Sequence, residues 1–131
     1  MKSLVVEDDF VSRLVLQKML APFGQCDVAV NGVEAVKAFT FAMTEGEPYD
    51  LICLDIMMPE MDGKEALKII RQKEKEFSIH PSNETKIVMI TALDTPKEVL
   101  ETYYKGGCTS YLIKPIEKSK IKNALKDLKL I

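Results

Sequence analysis

Leu4-Val5-Val6-Glu7-Asp8-Asp9 sets three apolar residues directly before three acids, and Leu51-Ile52-Cys53-Leu54-Asp55 repeats the arrangement with one acid. Short apolar runs of this kind read as strands of a parallel sheet that is covered on both faces. Both acid groups then fall at carboxyl ends of strands, the edge where open α/β sheets bind ligands. Carboxylates gathered there repel and raise one another's pKa unless a cation intervenes. A hard divalent ion with oxygen ligands, Mg2+ above all, suits them.

Working outward, strand-like apolar segments recur at about 2–6, 26–30, 50–54, 86–90 and 109–113, with helix-like periodicity in each gap. That alternation predicts an α/β doubly wound sheet built from βα units. A first helix is expected over about Phe10 to Phe23, buried through Val11, Leu14, Val15, Met19 and Leu20, with Gly24 as its C-terminal cap. Asn31-Gly32 opens a second, with Ala35, Val36, Phe39 and Met43 inward and Gly46-Glu47-Pro48 as its stop. Asp62 and Glu65 form a capping-box pattern for a third, buried through Leu67, Ile70 and Phe77. Thr95-Pro96 opens a fourth that ends at Gly106-Gly107. The last, about Glu117 to Leu128, buries Ile121, Ala124, Leu125 and Leu128.

The 131 residues suit one domain over 1–131, and 47% hydrophobic with 29% charged content is ordinary for a globular protein. Apolar runs fall short of the ~20 residues that span a membrane, and strand-like sequence from Lys2 leaves no room for a leader. Cys26, Cys53 and Cys108 are widely spaced in apolar stretches, which suits buried free thiols in a reducing cytoplasm. Residues 1–65 hold 12 acids and 5 bases, residues 66–131 hold 8 and 13. This argues against general nucleic-acid binding and leaves room for a local basic face. Arg71-Gln72-Lys73-Glu74-Lys75-Glu76 is expected to continue the third helix on a solvated face, and Pro81-Ser82-Asn83 to be loop. His80 lies there, far from the acids; the segment reads as a surface extension or as a loop that contacts a partner.

Two further strand ends carry polar groups: Thr91 after Ile87-Val88-Met89-Ile90, and Lys114-Pro115 after Tyr111-Leu112-Ile113. In a doubly wound sheet these ends converge with the acids on one crevice. Carboxylates for a cation, a lysine and a hydroxyl are what phosphoryl transfer needs, and Asp55 is the best placed nucleophile.

With Leu4 to Asp9, Leu54-Asp55-Ile56-Met57-Met58-Pro59-Glu60-Met61-Asp62-Gly63, Ile90-Thr91-Ala92 and Tyr111 to Pro115, the chain resembles the receiver domains of two-component response regulators over essentially its whole length. The resemblance implies a flavodoxin-like five-stranded parallel sheet of order 2-1-3-4-5 flanked by five helices. It implies a phosphoacceptor switch rather than an enzyme, assisting its own phosphorylation and slow dephosphorylation. Asp55 matches the phosphoacceptor, Asp8 the acid that binds Mg2+ directly, and Glu7 the one that reaches it through water. The backbone carbonyl of Met57 matches a further ligand. Thr91 matches the hydroxyl that bonds a phosphoryl oxygen, Lys114 the ammonium that pairs with it, and Tyr111 the aromatic switch, although a strand tyrosine is often core. Lys114-Pro115 would be a cis peptide bond. Asp9 reads as a cap of the first helix.

The implied partners are a histidine kinase or histidine phosphotransfer protein and a downstream protein target, without direct nucleic-acid or membrane contact. The chain would be a monomer or a weak phosphorylation-dependent dimer, and either stands alone or belongs to a longer regulator or hybrid kinase. Phosphorylation would act on the face made by the fourth helix, fifth strand and fifth helix. Lys97, Lys105, Lys118, Lys120, Lys122 and Lys126 lie there, as a solubilising surface or as a docking face for an acidic partner.

The chain departs from the family pattern in two respects. Thr91 to Lys114 is one residue longer than usual, which affects the fourth helix. Met57 and Leu93, two residues after Asp55 and Thr91, are apolar and cannot hold an attacking water, so slow self-dephosphorylation is expected. A haloacid-dehalogenase-type phosphatase would want a second acid where Met57 stands. A flavodoxin would want a hydroxyl- and glycine-rich phosphate loop where Glu7-Asp8-Asp9 stand.

Overall fold

Each expected apolar run forms a strand in the computed structural model, which describes residues 1–56, 61–92 and 94–131. The strands are β1 (Ser3–Val6), β2 (Cys26–Ala29), β3 (Leu51–Asp55), β4 (Lys86–Thr91) and β5 (Ser110–Ile113). They pair in parallel in the order β2-β1-β3-β4-β5. Register sets Val6 beside Leu54, Asp55 beside Ile90 and Thr91 beside Ile113. The carboxyl ends of β1, β3, β4 and β5 therefore share one rim.

The helices are α1 (Phe10–Leu20), α2 (Gly32–Thr44), α3 (Gly63–Glu76), α4 (Lys97–Lys105) and α5 (Lys118–Asp127), with short 3-10 turns at Ala21–Phe23 and Pro81–Asn83. Three begin on a side chain that accepts from the backbone N–H three residues on: Asp9 from Ser12 at 2.8 Å, Asn31 from Glu34 at 2.9 Å, Asp62 from Glu65 at 2.9 Å. Such caps contribute about 1 kcal/mol each. The first helix ends at Leu20, short of the expected Phe23, because Pro22 has no N–H for a further α-helical bond and the chain tightens into a 3-10 turn.

Strand alternation divides the core. Leu4, Val6, Ile52, Leu54, Ile87 and Met89 face α2, α3 and α4, meeting Phe39, Leu67, Ile70 and Tyr103. Val5, Leu51, Cys53, Val88 and Ile90 face α1 and α5, meeting Leu16, Leu20, Ile121 and Leu125. Among the described residues no helix is long and apolar enough to cross a membrane.

Three expectations need correction. The inward face of α1 is Leu16 and Leu20, while Phe10, Val11, Leu14 and Val15 are exposed and Met19 is partly buried. Val11, Leu14 and Val15 match helical spacing as well as Leu16 and Leu20 do, and the tertiary partner, not the period, selects the stripe. Phe77 caps the C-terminal end of α3 and is exposed rather than buried. The Arg71–Glu76 segment is not wholly solvated, since Arg71 and Glu74 turn inward with side chains 13% and 3% exposed and form an ion pair at 2.6 Å. Arg71 also donates to Gly107 O and Thr85 O, each at 2.9 Å, and Glu74 accepts from Thr85 N at 2.8 Å. Gly107 sits at φ 103°, where a side chain is disfavoured, and a Cβ there would meet Arg71 at 3.2 Å. The three cysteines are free thiols, Cys53 and Cys108 buried and Cys26 half-buried.

Candidate functional site

Glu7 leaves β1 with its backbone N–H bonded to Ala29 O at 3.1 Å, which turns its side chain into the rim, where it is buried. Asp8 follows as an exposed residue and Asp55 ends β3, 5% exposed. One carboxylate oxygen from each of Glu7, Asp8 and Asp55 lies within 4.8 Å of the others. The first residue of α3 comes up against this strand end, and a Cβ on Gly63 would lie 2.6 Å from Asp55 O. Lysine enters from the other side: Lys114 N donates to Thr91 O at 2.8 Å, tying β5 to β4, and its Nζ stands 3.3 Å from both Glu7 Oε2 and Asp55 Oδ2. The Lys114-Pro115 peptide is cis.

Asp8, Asp55, Thr91, Thr95 and Lys114 line a cavity of about 610 Å³. Thr91 is buried, and its hydroxyl shares a hydrogen bond with Thr95 Oγ1 and lies 3.2 Å from Ala92 O. Thr95 was missed in the sequence, where it reads as the start of a helix; its place four residues after Thr91 was the available signal. Tyr111 lies away from this lining, half-buried, with its ring edge-on to Tyr104 at 5.8 Å between centroids. Met57 and Leu93 lie outside the described residues.

Burial and then the hydrogen bond and charge of Asp55 push Glu7 up to about 7, against the opposing pull of Asp9 N–H and Lys114. Burial pulls the Lys114 ammonium down, but the Asp55 and Glu7 carboxylates outweigh it and the net direction is up. Three convergent carboxylates with no thiolate or imidazole in the cluster form a hard, all-oxygen donor set, and it fits Mg2+ rather than a soft metal. A cation held by all three carboxylates would have to displace the proton that Glu7 holds.

That competition fixes a pH dependence. Without metal, the folded chain keeps the Glu7 proton between the usual 4.5 and about 7, so this group's stabilising contribution declines as pH rises through that window. Were Glu7 to ligate Mg2+, the sign would reverse, because only the carboxylate binds the ion. Mg2+ affinity is expected to rise by about tenfold from pH 6 to pH 8, with proton release on binding, as isothermal titration in buffers of different ionisation enthalpy measures. Affinity independent of pH would place Glu7 outside the ion's reach.

The family model for the response regulator receiver domain matches residues 3–126. Hybrid signal transduction histidine kinase B of Dictyostelium discoideum is 40% identical over 125 residues, 92% of this chain and 6% of that protein. Histidine kinase 5 of Arabidopsis thaliana is 30% identical over 145 residues, 95% of this chain and 15% of that protein. The chain spans 3% to 16% of the length of such curated relatives. Among solved structures, the receiver domain of the histidine kinase CKI1 from Arabidopsis thaliana complexed with Mg2+ and BeF3- aligns with a TM-score of 0.81 and 28% identity, covering 99% of this chain and 90% of that one. Chemotaxis protein CheY4 of Vibrio cholerae aligns with a TM-score of 0.76 and 26% identity, covering 97% of each.

Proposed function

The chain belongs to the response regulator receiver domain family, and from that membership we propose that residues 1–131 act as one phosphoacceptor switch in a cytoplasmic phosphorelay, with Asp55 as the acceptor. The observation that carries this reading is the meeting of Glu7, Asp8 and Asp55 with Lys114 at one cavity.

In this reading an Asp55 carboxylate oxygen attacks the phosphorus of a phosphohistidine on a histidine kinase or histidine phosphotransfer protein. A P–O bond forms as the P–N bond breaks, the electron pair passes to the imidazole nitrogen, and Asp55 is left as an acyl phosphate. Glu7, Asp8, Asp55 and the backbone carbonyl of Met57 would hold Mg2+. When bound, the ion neutralises charge on the transferring phosphoryl oxygens. Lys114 pairs with one such oxygen and the Thr91 hydroxyl donates to another, drawn by the added charge of about -1.5 to -2. Tyr111 then follows Thr91 and changes the face of α4, β5 and α5, where the exposed Lys97, Lys105, Lys118, Lys122 and Lys126 meet a downstream protein.

The outward stripe of α1 supports a protein phosphodonor. Phe10 and Val11 are 66% and 64% exposed, and Val11 and Val15 border a groove with Lys114, Pro115 and Ile116. Contiguous exposed apolar surface beside a reactive centre marks a contact site.

The test of the acceptor is phosphorylation by acetyl phosphate with Mg2+, read by intact mass and followed on an Asp55 variant. The acyl phosphate is also expected to be long-lived, since the residues two after Asp55 and Thr91 are Met57 and Leu93 and neither side chain can hydrogen-bond an attacking water. Its decay after acetyl phosphate is removed, followed by phosphate-affinity electrophoresis, should take minutes or longer; loss within seconds contradicts this.

A further inference from the structure

We propose that Thr95 is a positioning residue of the phosphoacceptor site: its hydroxyl holds the Thr91 hydroxyl turned toward α4, and phosphoryl binding at Asp55 has to break that bond. The proposal rests on the receiver reading above and adds a residue and a cost to it.

Thr91 Oγ1 can donate one proton. In this structure its near partners are Thr95 Oγ1 and Ala92 O. Thr91 is 2% exposed, so water cannot readily replace a lost partner. Thr95 lines the same cavity as Asp55 and Lys114 and is pinned by its own backbone, with Thr95 N donating to Ala92 O at 3.1 Å. Directly after it, Pro96 O accepts from Val99 N at 3.0 Å and Leu100 N at 3.3 Å, which is the first turn of α4. That helix start has no side-chain cap. One hydroxyl pair therefore links the orientation of Thr91 to the beginning of α4.

The consequence is a competition. A phosphoryl group on Asp55 offers Thr91 a charged acceptor, which outbids a neutral hydroxyl. A ligand that needs Thr91 turned toward Asp55 binds with its affinity reduced by the fraction of molecules in which Thr91 is free to turn. Removing the Thr95 hydroxyl leaves Thr91 the longer and weaker 3.2 Å contact with Ala92 O and so lifts most of that reduction. A single neutral hydrogen bond corresponds to a factor of about five.

The experiment titrates BeF3-, formed from beryllium and fluoride, into the full chain with saturating Mg2+ and reads the bound species by fluorine NMR. Thr95→Val keeps the shape and removes the hydroxyl; Thr95→Ser restores a hydroxyl. The expected result is about fivefold tighter BeF3- binding for Thr95→Val and wild-type affinity for Thr95→Ser. Equal affinity in all three, or weaker binding by Thr95→Val, overturns the proposal. A second measurement needs no variant: three-bond couplings of wild-type Thr91 should report a change of χ1 rotamer on BeF3- addition, and an unchanged rotamer refutes the latch. Failure of the latch is distinct from failure of the receiver reading. The latter shows as wild-type protein that takes up no BeF3-, or takes it up equally as Asp55→Asn.

Discussion

Incubated with acetyl phosphate and Mg2+, the wild-type chain should gain one phosphoryl mass and the Asp55→Ala chain none. Nearby carboxylates make this a discriminating expectation. Glu7 is equally close to Lys114, and although burial and Asp55 push it up to about 7, bound Mg2+ would leave it a carboxylate, so it is the competing acceptor. Asp8 is exposed, and the Lys114 ion pairs go to Glu7 and Asp55 instead. Asp55 combines a strand-end position, burial and an ammonium at 3.3 Å that can receive charge on the incoming group. Glu7 shares the burial and the ammonium distance, so Asp55→Ala is the variant that separates the two. A phosphoryl group retained by Asp55→Ala would move the acceptor to Glu7 or Asp8 and overturn the assignment.

The second large effect is one of stability and lies at the opposite rim of the sheet. Arg71→Met should destabilise the fold by about 3 kcal/mol, because removal of one partner leaves a buried charge uncompensated. Glu74, 3% exposed, would keep only Thr85 N as a donor. Gly107 O and Thr85 O would each lose the guanidinium. Arg71→Met/Glu74→Leu should recover only part of the loss, since it removes the unpaired carboxylate but leaves Thr85 N–H, Thr85 O and Gly107 O without these side-chain partners. Urea unfolding followed by circular dichroism measures both. A single variant within about 0.5 kcal/mol of wild type, the range of ordinary surface substitutions, would show that the pair is solvated.

The parts that were legible in the sequence share one property: the signal is carried by immediate neighbours. Asp55 follows four apolar residues, Thr91 follows Ile90, and Lys114 follows Ile113 and precedes Pro115. In a parallel sheet, the end of an apolar run fixes both the depth and the rim of the next residue, so the four strand ends could be assembled on paper. Asp9, Asn31 and Asp62 were readable as caps for the same reason, since cap and N–H are three residues apart. What was not legible depends on a third body. Leu20 was expected inward and is, but the choice of Leu16 over Val11, Leu14 and Val15 beside it is made by Val5 and Ile121, which share no local pattern with the helix. Arg71 and Glu74 sit in a charged run that looks solvated until Thr85 and Gly107 arrive from other elements. Thr95 acquires a role only because the turn after β4 folds its hydroxyl back on Thr91.

The guanidinium of Arg71 bears on motion as well as on stability. It fastens Gly107, two residues beyond the last residue of α4, to the interior, whereas the helix's other end has no side-chain cap and is tied inward by the Thr91–Thr95 hydroxyl pair that phosphoryl binding would break. A rod fastened at one end swings rather than slides. At ~1.5 Å of rise per residue, the leverage grows along α4 from Lys105 back to Lys97. The residues nearest the phosphoacceptor cavity would sweep the widest arc, and those beside Gly107 would barely stir.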